Sequence, residues 1–286
     1  MEESPALTIW LYWHDGAHSS MPAIIKAAVE SVFANSECDV RLCNQEDAFQ
    51  LLPELPDEFR RLRPAHQADL FRVGVLSKFG GMYIDADTFV LKPLTRLFEL
   101  LVDYEYVGID WRPRRFTPSF WLPLASTILG PTRPALPFLR RTYEMQLSVL
   151  ESKRHLLRAI RHDSLAAKLR ARMPGPLNGA RYPVEWDDLL SDIIVPNFVH
   201  LPPIAKMFEG AATWGSLIGG PGHEYGDLGH PLKSMTEIGG RLPDTELMTL
   251  AYSLLPRSVR RASAQRLRRQ DTALAALMQA ALPLTP

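Results

Sequence analysis

The run Leu7-Thr8-Ile9-Trp10-Leu11-Tyr12-Trp13, closed by the turn signal His14-Asp15-Gly16, constrains the fold more than any other stretch of the chain. Apolar, β-branched and aromatic residues without polar alternation mark a strand covered on both faces. Pro22 then opens a helical stretch whose Ile24, Ile25, Val29, Val32 and Phe33 fall on one face. Asp39 to Cys43 reads as a second short strand. A β-α-β opening of this kind commits the chain to a parallel sheet with right-handed crossovers.

Further along, residues 44–63 are polar and helix-prone, broken by Pro53 and Pro56. Pro64 to Phe79 reads as a strong helix, with Leu70, Val73, Leu76 and Phe79 at helical spacing, ended by Gly80-Gly81. Met82 to Ile84 and Thr88 to Leu91 read as strands flanking Asp85-Ala86-Asp87. An amphipathic helix is expected around 97–101, strands at 105–109, 126–129 and 192–199, and helices at 137–150, 151–172 and 246–282. The expected architecture is α/β: one domain with a mixed, mostly parallel sheet flanked by helices, occupying residues 1–245, with 246–286 as a helical extension packed on it or appended to it.

Composition narrows the class. The 286 residues are 46% hydrophobic and 22% charged, which excludes a disordered chain or a collagen-like repeat. Two cysteines, Cys38 and Cys43, with no histidine cluster beside them, make neither a disulfide framework nor a zinc site. They read as thiols in a reducing cytoplasm. The acidic, apolar-poor start at Met1-Glu2-Glu3 carries no signal-peptide pattern, and no run of 18 apolar residues predicts a membrane span.

The segment from His66 to Leu94 carries the chemistry. Asp69 and Arg72 stand three apart on a helix and share a face, which is read as lining a cleft. Gly80-Gly81 allows a sharp turn and a close backbone approach. Asp85 and Asp87 then follow a short strand, and alternation along an extended chain points them the same way. Paired carboxylates at a strand end suit Mn²⁺ or Mg²⁺, hard cations that take oxygen ligands and often share them with a substrate's phosphates. An Asp-x-Asp alone has no weight, because 16 aspartates in this length produce about one by chance. The order of the parts is what counts.

That order, Ala68-Asp69-Leu70-Phe71-Arg72 through Gly80-Gly81-Met82-Tyr83-Ile84-Asp85-Ala86-Asp87, resembles the DxD-containing sugar transferases of the nucleotide-diphosphosugar (GT-A) fold. Within them it looks most like the bacterial capsular-polysaccharide-synthesis group, related to initiating mannosyltransferases and to the transferase domains of large clostridial toxins. Ala68 stands where these usually have serine. The resemblance covers roughly residues 7–150, including Ile9 to Gly16 and Phe120 to Leu129. It implies that Asp85 and Asp87 are the catalytic acidic pair, binding a metal that bridges to the donor diphosphate. Asp69 and Arg72 would contact the donor sugar and neutralise the diphosphate, an Arg fork suiting either. Trp13 would stack on the nucleobase, and Gly81 and Tyr83 would form the wall beneath the donor. Trp214 resembles a tryptophan that contacts the diphosphate, and His223, in a Gly-rich loop, is similar in position to a C-terminal metal ligand. His200 and His230 are further histidines of that region.

Zero net charge hides an uneven distribution. Residues 151–172 hold seven basic and two acidic groups, and 257–269 hold six arginines and no acid, leaving 19 basic and 30 acidic residues elsewhere. A basic helix suits a peripheral contact of 257–269 with an anionic membrane, and no recognised nucleic-acid module accompanies the charge. The expected activity is metal-dependent transfer of a sugar, with retention, from a UDP- or GDP-linked donor to a hydroxyl of a glycan or glycolipid acceptor in surface-polysaccharide synthesis. The place is the cytoplasm or the inner face of its membrane. Two other readings remain open: a nucleotidyltransferase on a similar fold, against which His14-Asp15-Gly16-Ala17 is a poor phosphate loop, and a non-catalytic sugar-nucleotide-binding protein.

Overall fold

The computed structural model describes residues 8–15, 21–94, 97, 99, 106–108, 137–159, 182, 183–185, 188–189, 193, 205–207, 211–213, 247–250, 252, 255, 257–268 and 273–282. Strand β1 (Thr8–Tyr12) is the centre of the first sheet. It pairs in parallel with β2 (Asp39–Cys43) on one side and with β3 (Met82–Tyr83) on the other. Helix α1 (Ala23–Ala34), preceded by Pro22, makes the crossover between β1 and β2. The β-α-β opening is therefore as the sequence implies.

β1 divides the protein into two cores because its side chains alternate across the sheet. Ile9 and Leu11 face one core with Ile24, Ile25, Val29 and Val32 of α1, whereas Trp10 and Tyr12 face the other with Phe59, Leu70 and Phe71. Phe33, assigned to the apolar face, is instead 46% exposed, while Ile24, Ile25, Val29 and Val32 of the same helix are buried.

After β2 come α2 (Gln45–Leu51), started by a reciprocal Asn44–Asp47 capping box, and a 3₁₀ turn at Asp57–Arg61. Helix α3 (Pro64–Phe79) begins with proline at its first turn and ends at Gly80 and Gly81, whose φ angles are +70° and +92°. It is buried nearly all round, the mark of a central helix. Helix α4 (Pro137–Ser152) packs so closely on it that a Cβ on Gly74 would stand 2.9 Å from the Tyr143 ring and 2.6 Å from Leu52. Helix α5 (Arg154–Ala159) follows.

The remaining strands are β4 (Thr88–Val90), β5 (Tyr106–Gly108), β6 (Ala205–Met207), β7 (Ala211–Thr213) and β8 (Leu247–Thr249). β8 lies between β4, to which it is antiparallel, and β7, to which it is parallel; β5 and β6 pair in parallel. Four of the five pairings among the described residues are thus parallel, giving the mixed, mostly parallel α/β architecture. Strand β8 corrects the reading of 246–282 as wholly helical: Leu247 and Leu250 are buried against the sheet, and a central position favours extended backbone. Helices α6 (Arg257–Arg260), α7 (Ala264–Arg268) and α8 (Ala273–Ala281) follow. Their Val259, Leu267, Leu274, Leu277 and Met278 enter the same core as α1. Asn35, just past α1, donates to the carbonyls of Val90 (3.1 Å) and Ala281 (3.3 Å), tying α8 to β4. Of the strand expected at 192–199 only Ile193 is described, buried and helical; the strand expected at 126–129 lies outside the described residues.

Candidate active site

In a parallel sheet a crevice opens at the carboxyl ends of neighbouring strands whose connections diverge. Here that place is the shared end of β1 and β3, where Trp10 pairs with Tyr83 and the Ile84 N–H donates to the Trp10 carbonyl (3.0 Å). Trp13 is the first residue past β1, and Asp85 lies two past β3. Positions 13 and 85 therefore lie beyond the same end of the sheet.

Gly81 makes this junction possible. A Cβ there would stand 2.4 Å from the Thr8 carbonyl oxygen, and the φ of +92° is a conformation that side chains disfavour. The Trp10 indole N–H donates to the Gly80 carbonyl (2.9 Å), clamping the turn.

Asp69 and Arg72 do share a face of α3, and they form a buried ion pair at 2.7 Å, with side-chain exposures of 10% and 7%. Arg72 also reaches Asp85 at 3.3 Å and lies over the Tyr83 ring, 5.0 Å from its centroid. Burial opposes the charge of Arg72, but Asp85 and Asp69 more than offset it and hold the guanidinium above its usual range. Tyr83 is fully buried, and burial, then the Asp85 charge, pushes its hydroxyl well up. Residues from one helix and from the strand after it thus meet through a single guanidinium.

Asp85 and Asp87 are not two positions of one extended strand: Ala86 and Asp87 form a turn before β4, closed by the Thr88 N–H on the Asp85 carbonyl (3.0 Å). The turn replaces the alternation expected there, yet the two carboxyls remain close enough to feel each other. Burial, and then the neighbouring Asp85 charge, raise the Asp87 carboxyl from 3.8 to about 6, although the Tyr252 N–H bonded to it works the other way.

Tyr252 was not legible from the sequence. Its backbone N–H donates to Asp87 Oδ2 (2.8 Å), and the Leu250 N–H donates to the Asp87 carbonyl (3.1 Å). Its ring meets Trp13 edge-on, with centroids 6.3 Å apart at 73°. No local signal marks a residue recruited by its backbone N–H from 165 positions away. Gln146, fully buried on α4, similarly supports α3 by donating to the Asp69 carbonyl (3.2 Å) and to that of Leu189.

Trp13 is half-buried: its backbone N–H donates to the Cys43 carbonyl (2.9 Å) and its ring lies against His14 and Tyr252. Trp214, His200, His223 and His230 lie outside the described residues. Among the described residues, no group of three or more His, Cys, Asp or Glu side chains converges to hold a metal. Two neighbouring carboxylates, one of them raised first by burial and then by the other's charge, nevertheless fit a hard divalent cation that completes its shell with ligand oxygens.

Residues 1–110 match the capsular polysaccharide synthesis protein family. That span contains the described candidates from Trp13 to Asp87, and the match bears out the resemblance to the capsular-polysaccharide-synthesis group. Among solved structures, the chain is similar to the galactosyltransferase LgtC in complex with donor and acceptor sugar analogs, at 11% identity over 98% of each chain and a TM-score of 0.43. It is also similar to the PaToxG glycosyltransferase, at 16% identity over 53% of this chain and 64% of that one (TM-score 0.33). GlyE of Streptococcus pneumoniae TIGR4 matches at 11% identity, covering 97% of this chain and 60% of that one (TM-score 0.40). The chain therefore spans less than two thirds of the PaToxG and GlyE chains. The fold assignment rests on the strand pairings above. No curated protein sequence matches the chain.

The arginine-rich stretch lies differently from a free amphipathic helix. Val259, Ala262 and Leu267 are buried in the core, while Arg257, Arg261 and Arg266 are exposed. Its apolar side chains are already used. Among the described residues no helix is long and apolar enough to cross a membrane.

Proposed function

We propose that the protein is a metal-dependent glycosyltransferase acting on a nucleotide-diphosphosugar. The observation that carries this reading is the cluster in which Arg72 joins Asp69 of α3 to Asp85 beyond β3, beside a second acid whose carboxyl is raised to about 6. Such an arrangement costs stability unless a ligand compensates it, and it stands at the sheet's ligand crevice.

Asp85 and Asp87 would hold Mn²⁺ or Mg²⁺, which as a Lewis acid offsets the charge that builds on the leaving diphosphate. Trp13 offers an aromatic face to the nucleobase. Arg72, kept charged by Asp69 and Asp85, is oriented towards the donor's polar groups, and the buried Tyr83 with Gly81 forms the floor. In the transfer, the bond from the anomeric carbon to the diphosphate oxygen breaks with its electron pair on that oxygen. The acceptor hydroxyl oxygen bonds to the carbon, and its proton goes to the departing diphosphate or to water. Retention of configuration, a UDP or GDP donor, and a glycan or glycolipid acceptor of surface-polysaccharide synthesis complete the proposal. Trp214 is proposed to contact the diphosphate and His223 to complete the metal shell. We place the enzyme in the cytoplasm, with residues 1–245 joined by β8 and Tyr252 as its catalytic unit and the helices from Arg257 onward as the extension packed on it. The exposed Arg257, Arg261 and Arg266 would allow contact with an anionic membrane by charge alone, on the order of 1 kcal/mol per residue at the surface.

The test is a donor screen. Nucleotide release is measured with Mn²⁺ and each common UDP- and GDP-sugar, and melting temperature with UDP or GDP plus Mn²⁺. Release with one donor, abolished in Asp87→Asn without loss of fold, is expected. No release with any donor and no thermal shift with either nucleotide would refute the reading.

A further inference from the structure

The crevice end of β1 carries a second polar feature besides the acidic cluster. Trp13 follows the strand, and His14 and Asp15 form the turn after it. His14 Nε2 stands 2.9 Å from Asp15 Oδ1, and the His14 ring lies 5.4 Å from the Trp13 ring, tilted by 52°. A carboxylate can only accept, so this contact puts the proton of the neutral imidazole on Nε2 and leaves Nδ1 as a lone-pair acceptor. The Asp15 carboxylate keeps acceptor capacity beyond that one bond. With side-chain exposures of 32% and 54% the pair is open to a ligand, whereas Asp69 and Arg72 are closed in at 10% and 7%.

The pair spans the end of the strand from one face of the sheet to the other. Trp13 packs on the core that holds Ile9 and Leu11, and Tyr12 belongs to the core that holds Trp10. His14 meets the first side through the Trp13 ring. Asp15 reaches the second: after burial, its charge is the strongest influence holding the Tyr12 hydroxyl above its usual range. That hydroxyl donates to Gln67 of α3 (2.9 Å), two residues before Asp69. The carboxylate therefore leans from the Trp13 ring towards the helix that carries Asp69 and Arg72, and a base stacked on Trp13 would bring its hydrogen-bonding edge against it.

Neighbouring acceptors match neighbouring donors. Guanine presents N1–H and its N2 amino group side by side on the Watson–Crick edge, whereas uracil presents a single N3–H between two carbonyl oxygens. A carboxylate and a lone-pair nitrogen set against uracil would face at least one of those oxygens, acceptor against acceptor. We propose that Asp15, oriented by His14, selects a guanine nucleotide, so that the donor is a GDP-linked rather than a UDP-linked sugar. This rests on the sugar-transfer reading above. Stacking on Trp13 serves any base, because every base has a π-face, and the choice between bases falls to Asp15.

The test is calorimetric titration of wild type and Asp15→Asn with GDP, UDP and inosine diphosphate in the presence of Mn²⁺, alongside melting curves. Inosine diphosphate differs from GDP only in lacking the N2 amino group. Wild type is expected to bind GDP about tenfold or more tighter than either of the others, the worth of one charge-assisted hydrogen bond. Asp15→Asn should weaken GDP by about ten- to hundredfold and UDP by much less. Wild-type affinity for UDP equal to or above that for GDP, or equal losses of GDP and UDP in Asp15→Asn, would overturn guanine selection and leave the transferase reading standing. If Asp15→Asn melts early, the wild-type comparison of GDP with inosine diphosphate decides, and equal affinities would overturn the proposal. Failure of the wild type to bind either GDP or UDP would overturn both readings.

Discussion

Asp87 couples the folding of this protein to pH in a direction opposite to that of most carboxylates. Burial, and then the nearby Asp85 charge, raise its carboxyl from 3.8 to about 6. Between those values the folded protein keeps a proton that the unfolded chain has lost, so the folded state binds more protons and stability falls as pH rises. A rise from 3.8 to about 6 corresponds to roughly 3 kcal/mol, present below pH 4 and lost by pH 6 to 7. For a chain of this size that is roughly 6 °C or more in melting temperature. Asp87→Asn removes the ionisation and can still accept the Tyr252 N–H through its amide oxygen. Thermal melts of wild type and Asp87→Asn between pH 4 and 7.5, in chelator, should therefore diverge as pH rises, with the variant gaining relative to wild type. With Mn²⁺ present, the wild-type melting temperature should rise increasingly as pH climbs through 6, because the cation competes with the proton for the same oxygens. The variant should lose most of that increment. A difference between variant and wild type that stays flat across this range would show that Asp87 is ordinarily ionised and that the crowding argument fails.

Two further substitutions probe the frame of the site. Gly81→Ala should cost about 2–5 kcal/mol in urea denaturation, from the positive φ and the collision with the Thr8 carbonyl, and unchanged stability would mean that β1 and β3 are not so tightly joined. Arg72→Met should cost about 3–5 kcal/mol by removing the guanidinium paired with the buried Asp69 at 2.7 Å; the double variant with Asp69→Leu should recover part of it, and a purely additive double variant would show that the pair is not coupled.

The parts of the site that lie close in sequence were legible because local rules place them. Pro64 and Gly80-Gly81 bound α3 at the observed ends, and three-residue spacing puts Asp69 beside Arg72. The hydrophobic run from Leu7 predicts the central strand covered on both faces, as found with Leu11 in one core and Trp10 in the other. What failed did so where tertiary contacts override local pattern. β8 is a strand because a slot exists between β4 and β7, although its sequence sits in a helix-rich tail. Phe79 satisfies helical spacing yet is 42% exposed, since its ring packs on Trp10 and Lys78 at the end of α3. Tyr252 contributes a backbone N–H, which every residue but proline carries, so its type gives no clue.

The distribution of charge acquires a physical meaning once these pieces are joined. The six arginines of 257–269 face an acidic remainder of the chain, and the tail that carries them is built into the core that also holds β1 and α1. Val259 and Leu267 anchor α6 and α7, Asn35 fastens α8, and β8 extends the sheet beside β4. Those anchors leave little freedom in where Tyr252 stands relative to Asp87. A detached basic tail would feel the acidic site only through screened, long-range attraction, which falls off over about 8 Å at physiological salt. A tail fixed by packing instead holds a backbone donor on the acidic turn whatever the ionic strength. Any contact made by Arg257, Arg261 and Arg266 with an anionic surface should accordingly disappear in high salt, whereas the hydrogen bond from Tyr252 to Asp87 should persist.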